Sequence, residues 1–133
     1  PPSSDPNLSS EALKAGAYEP DYGHPLYLQK LDTFLEECGT RFGNDPRVEY
    51  MDIGTFGTWG EGHTSSGSRK LYPAEVIKKH IDLHLKHFPN KVLLINDDFI
   101  AHAARSDKEA ASQLYDYCIN KGLGIRDDSI CVR

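Results

Sequence analysis

Apolar side chains recur along this chain at two alternating spacings. Across residues 25–42 they fall three or four positions apart, which predicts a helix with one buried stripe. Pro25 suits the first turn of such a helix, because its missing N–H would have no partner there. The same spacing predicts two further helices, one over residues 73–88 and one over residues 107–121.

Short apolar runs separate the predicted helices. Residues 48–53, 91–96 and 123–126 mix β-branched and other apolar side chains over a few positions, as buried parallel strands do. Helix and strand therefore alternate, and this alternation predicts an α/β fold in which helices cover parallel strands. Residues 1–24, which are rich in Pro, Ser, Gly and Asp, and residues 54–73 interrupt the pattern and are predicted as loops. Because a connection as long as 54–73 is usually functional or disordered, we expect an active-site loop there.

The number of strands is too small for a closed barrel. Three parallel strands would leave a sheet with two open edges. Since the chain begins in a predicted loop and stops just after a strand, we expect residues 1–133 to be a partial barrel domain, about three βα units of a (β/α)8 TIM barrel. The remaining barrel segments, or self-association, would then cover the open edges. The alternative is a complete, small three-layer domain.

Composition and charge narrow the classes of partner. The formal net charge is −5 and no basic face is visible, which argues against a nucleic-acid partner. No apolar run approaches the roughly 20 residues of a membrane helix, so no membrane partner is expected. The chain does not open with a secretory leader, but a parent protein can carry one, so secretion or export to the periplasm stays open.

The cysteine count bears on disulfides and metals. Cys38, Cys118 and Cys131 make an odd number, which excludes a fully paired set of disulfides within the chain. All three fall inside predicted helices or apolar runs, where free thiols act as small apolar side chains. No two of them have the spacing of a zinc site, and we expect neither a metal nor another cofactor.

The most distinctive stretch lies at the start of the long predicted loop. Four glycines in nine residues let the backbone turn sharply around Trp59, Glu61 and His63. An indole ring can cover the apolar face of a pyranose, and a carboxylic acid beside it can exchange a proton with a glycosidic oxygen. These residue types predict a carbohydrate site, and the alternative is a surface loop with a half-buried tryptophan.

Polar side chains also end the next two predicted strands. Asn96 and Asp97 lie at the end of the second strand, and Arg126 and Asp127 lie at the end of the third. Parallel α/β folds bind ligands beyond the carboxyl ends of their strands, so we expect these groups to share one rim with the Gly-rich loop. There they would hold sugar hydroxyls through paired hydrogen bonds. A salt bridge that ties strand ends together explains Arg126 with Asp127 equally well.

Other polar residues have simpler explanations. Asp98 is expected to cap a turn, and Asp52 is either a buried, hydrogen-bonded residue or a functional one. His80 and His84 are one turn apart on a predicted helix and could share a metal. Because Ile81 stands where zinc peptidases carry glutamate, we favour a partly exposed helix flank for both histidines.

Four segments carry a family resemblance: Pro25-Leu-Tyr-Leu28, Arg41-Phe-Gly-Asn-Asp-Pro-Arg-Val48, Asp52-Ile-Gly-Thr-Phe-Gly-Thr-Trp-Gly-Glu-Gly-His63 and Leu123-Gly-Ile-Arg-Asp-Asp-Ser129. Together they resemble the middle of bacterial (β/α)8 glycoside hydrolases of the broad β-galactosidase-like group, which includes members known only as domains of unknown function. The resemblance covers most of the chain from about residue 19. Its most specific part is the Gly-x-Trp-Gly-Glu sequence.

The resemblance implies particular catalytic roles. In such barrels the acid/base is a carboxylic acid after the fourth strand, which by position would be Glu61. The partner nucleophile usually follows the seventh strand and would then lie outside this chain. Gly60 precedes Glu61 here, whereas those enzymes commonly carry asparagine before the acid.

Together these observations predict a glycoside hydrolase that acts on an oligo- or polysaccharide with Glu61 as general acid/base. The expected substrate-binding residues are Trp59, His63, Asn96, Asp97, Arg126 and Asp127. One alternative is a non-catalytic carbohydrate-binding protein that has the groove without the chemistry. The other is a metal-dependent hydrolase that uses the acidic and histidine side chains of the same rim.

Overall fold

The computed structural model describes residues 19–127. Helices and strands alternate through this range as predicted, with one helix more than expected. In chain order they are α1 (Pro25–Phe42), β1 (Tyr50–Asp52), α2 (Ala74–His87), β2 (Val92–Asn96), α3 (Asp98–Ser106), α4 (Lys108–Asn120) and β3 (Gly124–Arg126). Most of the predicted N-terminal loop, together with Cys131, lies outside the described residues.

The strands form one parallel sheet in the sequential order β1-β2-β3. Met51 pairs with Leu93, and Ile95 pairs with Ile125. The predicted α/β fold with parallel strands is therefore confirmed, although β1 is shorter than the predicted strand over 48–53. The long connection that follows β1 contains neither helix nor strand up to α2, as predicted.

Side-chain caps set the ends of the helices. His24 Nδ1 accepts a hydrogen bond from the Leu26 N–H at 3.1 Å, just before Pro25 opens α1. Asp107 has extended backbone at φ −156° and divides α3 from α4. Its Oδ1 accepts the N–H groups of Glu109 and Ala110 at 2.9 and 3.1 Å, two of the donors that would otherwise be unpaired at the start of α4. No helix in the described part of the chain is long and apolar enough to span a membrane.

The core lies between the sheet and the helices. α1 contributes the buried Leu31 and Leu35, which belong to the apolar stripe predicted for that helix. Cys38 and Cys118 are free thiols, and burial of Cys118 raises its pKa to about 11. Cys118 is thus an inert apolar residue of the core, as the sequence predicted.

The described helices all lie on one side of the sheet. α2 and α4 contact each other and α1 packs on α2, so both crossover connections run over the same face. Side chains alternate along a strand, and Leu93 and Ile95 of β2 are buried beneath these helices. Val92 and Tyr50 point the other way and are 56% and 58% exposed. We call this second side the open face. By alternation and register it consists of Tyr50, Asp52, Val92, Leu94, Asn96, Gly124 and Arg126, of which Asn96 is buried.

The histidines of α2 are buried, so the prediction of a partly exposed flank is wrong. His80 is fully buried and His84 is 2% exposed. His80 Nε2 contacts the Tyr22 carbonyl oxygen at 3.0 Å and must donate, so Nδ1 accepts from the Thr55 hydroxyl at 3.0 Å. Burial lowers the pKa of His80 to about 4 and keeps the ring neutral at pH 7. The imidazole thus ties the segment before α1 to the loop after β1.

Candidate functional site

A tight turn at residues 56–63 carries the predicted carbohydrate-binding residues. The N–H of Thr58 donates to the carbonyl oxygen of His63, and the N–H of Gly62 donates to that of Phe56, both at 3.0 Å. Gly62 has φ +94°, and a Cβ there would collide with the Phe99 ring of α3. The glycine therefore allows both the left-handed backbone and the close packing of the turn on α3.

The base of this turn is anchored in an aromatic cluster. Phe56 is fully buried, and its ring centroid lies 5.0 Å from that of Tyr22 and 5.4 Å from that of Tyr72. The His102 ring of α3 lies 5.3 Å away on another side. Aromatic rings in such edge and tilted contacts hold one another in place. The turn therefore projects from a well-packed base to which the buried Tyr22 belongs.

His63 lies between two carboxylates. Its Nε2 is 3.6 Å from Glu61 Oε2 and 3.7 Å from Asp98 Oδ2. On the other side of the ring, Nδ1 is 3.3 Å from the backbone nitrogen of Ser65 and 2.7 Å from its hydroxyl oxygen. A backbone N–H can only donate, so Nδ1 is the acceptor and the neutral ring carries its hydrogen on Nε2. That N–H faces the two carboxylates.

Trp59 stands exposed beside this group. At 67% exposure, Trp59 is the most exposed large apolar residue in the part of the chain that the structure describes. The indole centroid lies 6.1 Å from that of His63, and the rings are nearly perpendicular at 86°. The alternative of a half-buried tryptophan is therefore wrong. A broad aromatic surface is open to solvent next to an imidazole and two acids, which is the arrangement that a sugar ring can cover.

Asn96 and Asp97, at the end of β2, form hydrogen bonds with the neighbouring elements. Asn96 is 1% exposed, and its Oδ1 accepts the Asp98 N–H at 3.0 Å, which positions the first turn of α3. Asp97 is an exposed residue whose N–H donates to the Arg126 carbonyl oxygen at 2.9 Å. His63 thus connects the Gly-rich turn to Asp98, and the Asp97 N–H connects the ends of β2 and β3. A rim shared by all the predicted binding residues stays a prediction.

Arg126 pairs across the open face. One of its terminal nitrogens lies 3.1 Å from Asp52 Oδ2, and both side chains are partly exposed. Because β1 and β3 flank β2, this ion pair crosses over the central strand above Leu94. The sequence had not indicated Asp52 as a partner of Arg126, and the alternative salt bridge between Arg126 and Asp127 stays a prediction. Asp52 is exposed, so its interpretation as a buried residue is wrong, and Asp127 is also exposed at the end of β3.

Asp98 is a neighbour of His63 that the sequence did not indicate. It was expected to cap a turn, but it is the first residue of α3, and its carboxylate faces His63. Its position directly after a predicted strand was the available signal. Within residues 19–127 no group of three or more His, Cys, Asp or Glu side chains is placed to hold a metal ion.

Comparison with protein-family models, curated proteins and solved structures finds no match for this chain. The resemblance to β-galactosidase-like hydrolases therefore stays a prediction from the sequence motifs. What the protein does has to be inferred from the fold and from the chemistry of the rim.

Proposed function

We propose that this protein is a glycoside hydrolase and that Glu61 is its general acid/base. The observation that carries the proposal is the exposed Trp59 ring beside two carboxylates that face one imidazole. An aromatic platform binds the apolar face of a sugar, and hydrolysis of a glycosidic bond uses a pair of carboxyl groups. The position of these groups at one end of a parallel sheet, where α/β proteins bind their ligands, supports the proposal.

Within the α/β class, we propose that the fold is a (β/α)8 barrel that includes these three βα units. Sequential parallel strands with every described helix on one face support it, because a doubly wound sheet carries helices on both faces. The open face would line the barrel interior. Tyr50, Val92 and Leu94 would belong to its packed layers, and the Asp52–Arg126 pair would lie above them near the site.

Each rim residue then has a part in binding sugar. The indole of Trp59 covers a pyranose ring, and the His63 Nε2–H donates to a hydroxyl or to a carboxylate. Arg126, held by Asp52, presents its guanidinium from the open face, while the exposed Asp97 and Asp127 offer carboxylate oxygens to hydroxyl groups. Asn96 is buried and acts by fixing Asp98.

Hydrolysis assays on the intact protein test this proposal. We expect release of reducing ends from some member of a panel of plant, bacterial and storage polysaccharides. Glu61→Gln should lower kcat by about 10²–10⁴-fold, the usual contribution of a positioned acid, while the dissociation constant for the same glycan changes little. Glu49→Gln is the matched control, because Glu49 is exposed at the opposite end of β1.

A non-catalytic carbohydrate-binding protein is the second candidate, and the exposure of Trp59 favours it equally. Such a protein would bind glycans through Trp59 and release no reducing ends, so Glu61→Gln would have no activity to remove. The third candidate, a metal-dependent hydrolase, would lose its activity in EDTA, whereas a hydrolase that uses two carboxylates would not.

A further inference from the structure

The carboxylate of Glu19, ahead of α1, contacts two separate points of the loop that carries the candidate site. Its Oε1 accepts a hydrogen bond from the Thr58 hydroxyl at 3.3 Å, and its Oε2 accepts one from the Ser68 N–H at 2.8 Å. These partners lie 39 and 49 positions away along the chain. A single side chain therefore ties the Gly-rich turn to the Ser-rich stretch at residues 64–68.

The packing around this carboxylate is close. A Cβ at Gly67 would lie 2.8 Å from the Thr58 hydroxyl oxygen and 2.9 Å from Glu19 Oε1, which is nearer than a side-chain carbon approaches such atoms. The Gly67 N–H donates to the Thr64 carbonyl oxygen at 3.0 Å and closes the Ser-rich stretch into a turn. The glycine thus leaves room for the carboxylate between the two parts of the loop.

The first of the two hydrogen bonds ends next to the exposed indole. Thr58 directly precedes Trp59, whose side chain is 67% exposed, so little protein surface holds the ring itself. Gly62 packs on α3 at the other end of the turn. The contact between Glu19 and the Thr58 hydroxyl therefore anchors the end of the turn from which the indole projects.

The second hydrogen bond acts on the residues that orient His63. Ser68 belongs to the same short stretch as Ser65, whose N–H and hydroxyl lie 3.3 and 2.7 Å from His63 Nδ1. That contact makes Nδ1 the acceptor and places the hydrogen of the neutral ring on Nε2. Glu19 thus holds the stretch that sets the tautomer of His63.

We infer that Glu19 is a positioning residue of the candidate site and orders its loop before a sugar binds. A loop that is already held in its binding conformation costs less free energy to fix when the ligand arrives. The expected effect of Glu19 on glycan affinity rests on the proposed function, whereas its effect on the order of the Trp59 ring does not.

Fluorescence measures this order directly, because Trp59 is the single tryptophan of the chain. Time-resolved anisotropy, excited where tyrosine does not absorb, reports the local motion of the ring. Glu19→Ala should increase the amplitude of the fast component. It should also raise, by about tenfold, the dissociation constant for the polysaccharide of the panel that the unsubstituted protein binds most tightly.

The conservative variant should reverse both effects. In Glu19→Gln the amide oxygen can still accept the Ser68 N–H, and the NH₂ group can donate to the Thr58 hydroxyl oxygen. Ring motion and affinity should therefore stay close to those of the unsubstituted protein. Glu49→Ala is the matched control, since Glu49 is exposed at the opposite end of β1, and it should change neither value.

A second variant separates local order from overall stability. Thr58→Val removes the hydroxyl that Glu19 binds, and it should increase the motion of the Trp59 ring at an unchanged Tm. Unchanged ring motion in both Thr58→Val and Glu19→Ala would overturn the inference, and so would a Glu19→Gln variant that behaves like Glu19→Ala.

The two readouts also distinguish this inference from the proposed function. A more mobile Trp59 ring with unchanged glycan affinity in Glu19→Ala would show that Glu19 does not serve the site, and the glycosidase proposal would survive. If the unsubstituted protein neither binds nor hydrolyses any glycan, the proposed function is wrong, and the anisotropy then decides whether Glu19 orders the loop.

Discussion

At the scale of single residues, the molecule keeps its histidines in two kinds of environment. His63 is partly exposed and lies near two acids, whereas His80, His84 and His102 are buried in the core. Desolvation by burial lowers the pKa of each of the three core histidines. His102 Nε2 accepts the Tyr72 N–H at 3.1 Å, so it too is held in one neutral tautomer.

The buried histidines should make the fold sensitive to acid. The folded-state pKa of His80 is lowered to about 4 from an ordinary value of 6.5, so its contribution to stability is complete above pH 6.5 and is lost as the pH falls toward 4. Linkage gives a loss of roughly 2 kcal/mol from His80 between pH 7 and pH 5. Urea unfolding at pH 7 and at pH 5 measures this loss of unfolding free energy.

His80→Gln provides the control for this prediction. The variant should be less stable at pH 7, because it loses a buried hydrogen-bonding ring, but the difference between pH 7 and pH 5 should shrink by the contribution of His80. An unchanged difference between the two pH values would mean that other groups cause the acid sensitivity.

At the scale of elements, the loop after β1 and the short helix α3 work as one unit. The Gly62 backbone lies against Phe99, and His63 faces Asp98 one residue earlier on the same helix. The loop therefore takes its position from α3, which itself is divided from α4 by the cap at Asp107. This explains how a connection without helix or strand can still present Trp59 and Glu61 in a defined arrangement.

Two glycine substitutions test this contact. Gly122→Ala places a side chain at φ +76° with nothing within 4 Å, so it should cost only the backbone strain, about 1–2 kcal/mol of unfolding free energy. Gly62→Ala adds a collision with Phe99 at φ +94° and should cost at least 1 kcal/mol more, as core overpacking does. Denaturant unfolding compares them, and equal costs would show that the turn does not depend on α3.

At the scale of the whole molecule, the two sides of the sheet are unequal. Helices bury one side, while the open face exposes Val92 and Tyr50 among the described residues. Parallel sheets are almost always covered on both faces. The proposed barrel accounts for this difference, because its interior would pack the lower part of the open face and leave the Asp52–Arg126 pair near the site.

A lysine on the open face tests whether it is packed in the intact protein. Val92→Lys should lower the unfolding free energy by 2 kcal/mol or more, because an unpaired charge would enter a packed barrel interior. Ile119→Lys is the matched control, since Ile119 is similarly exposed on α4 and lies outside the sheet; it should change stability by about 0.5 kcal/mol or less. Urea unfolding measures the free energy of unfolding of both variants. Equally small losses in the two variants would contradict the barrel.

Local sequence patterns are enough to predict the alternation of helix and strand, the glycine-rich turn with Trp59, Glu61 and His63, and the polar residues at the strand ends. Such features are local, because helix and strand periodicity and turn formation depend on residues a few positions apart. α3 escaped prediction because its buried stripe includes a polar residue, His102, beside Phe99 and Ala103.

Which distant groups meet depends on the three-dimensional packing of the chain. It buried His80 and His84, gave Arg126 the partner Asp52, and brought Asp98 to the imidazole that Glu61 faces. These contacts follow from strand order, from the register of the sheet and from the side on which the helices pack. No pattern over a few neighbouring positions specifies those three properties, because they depend on how the whole chain shares one core.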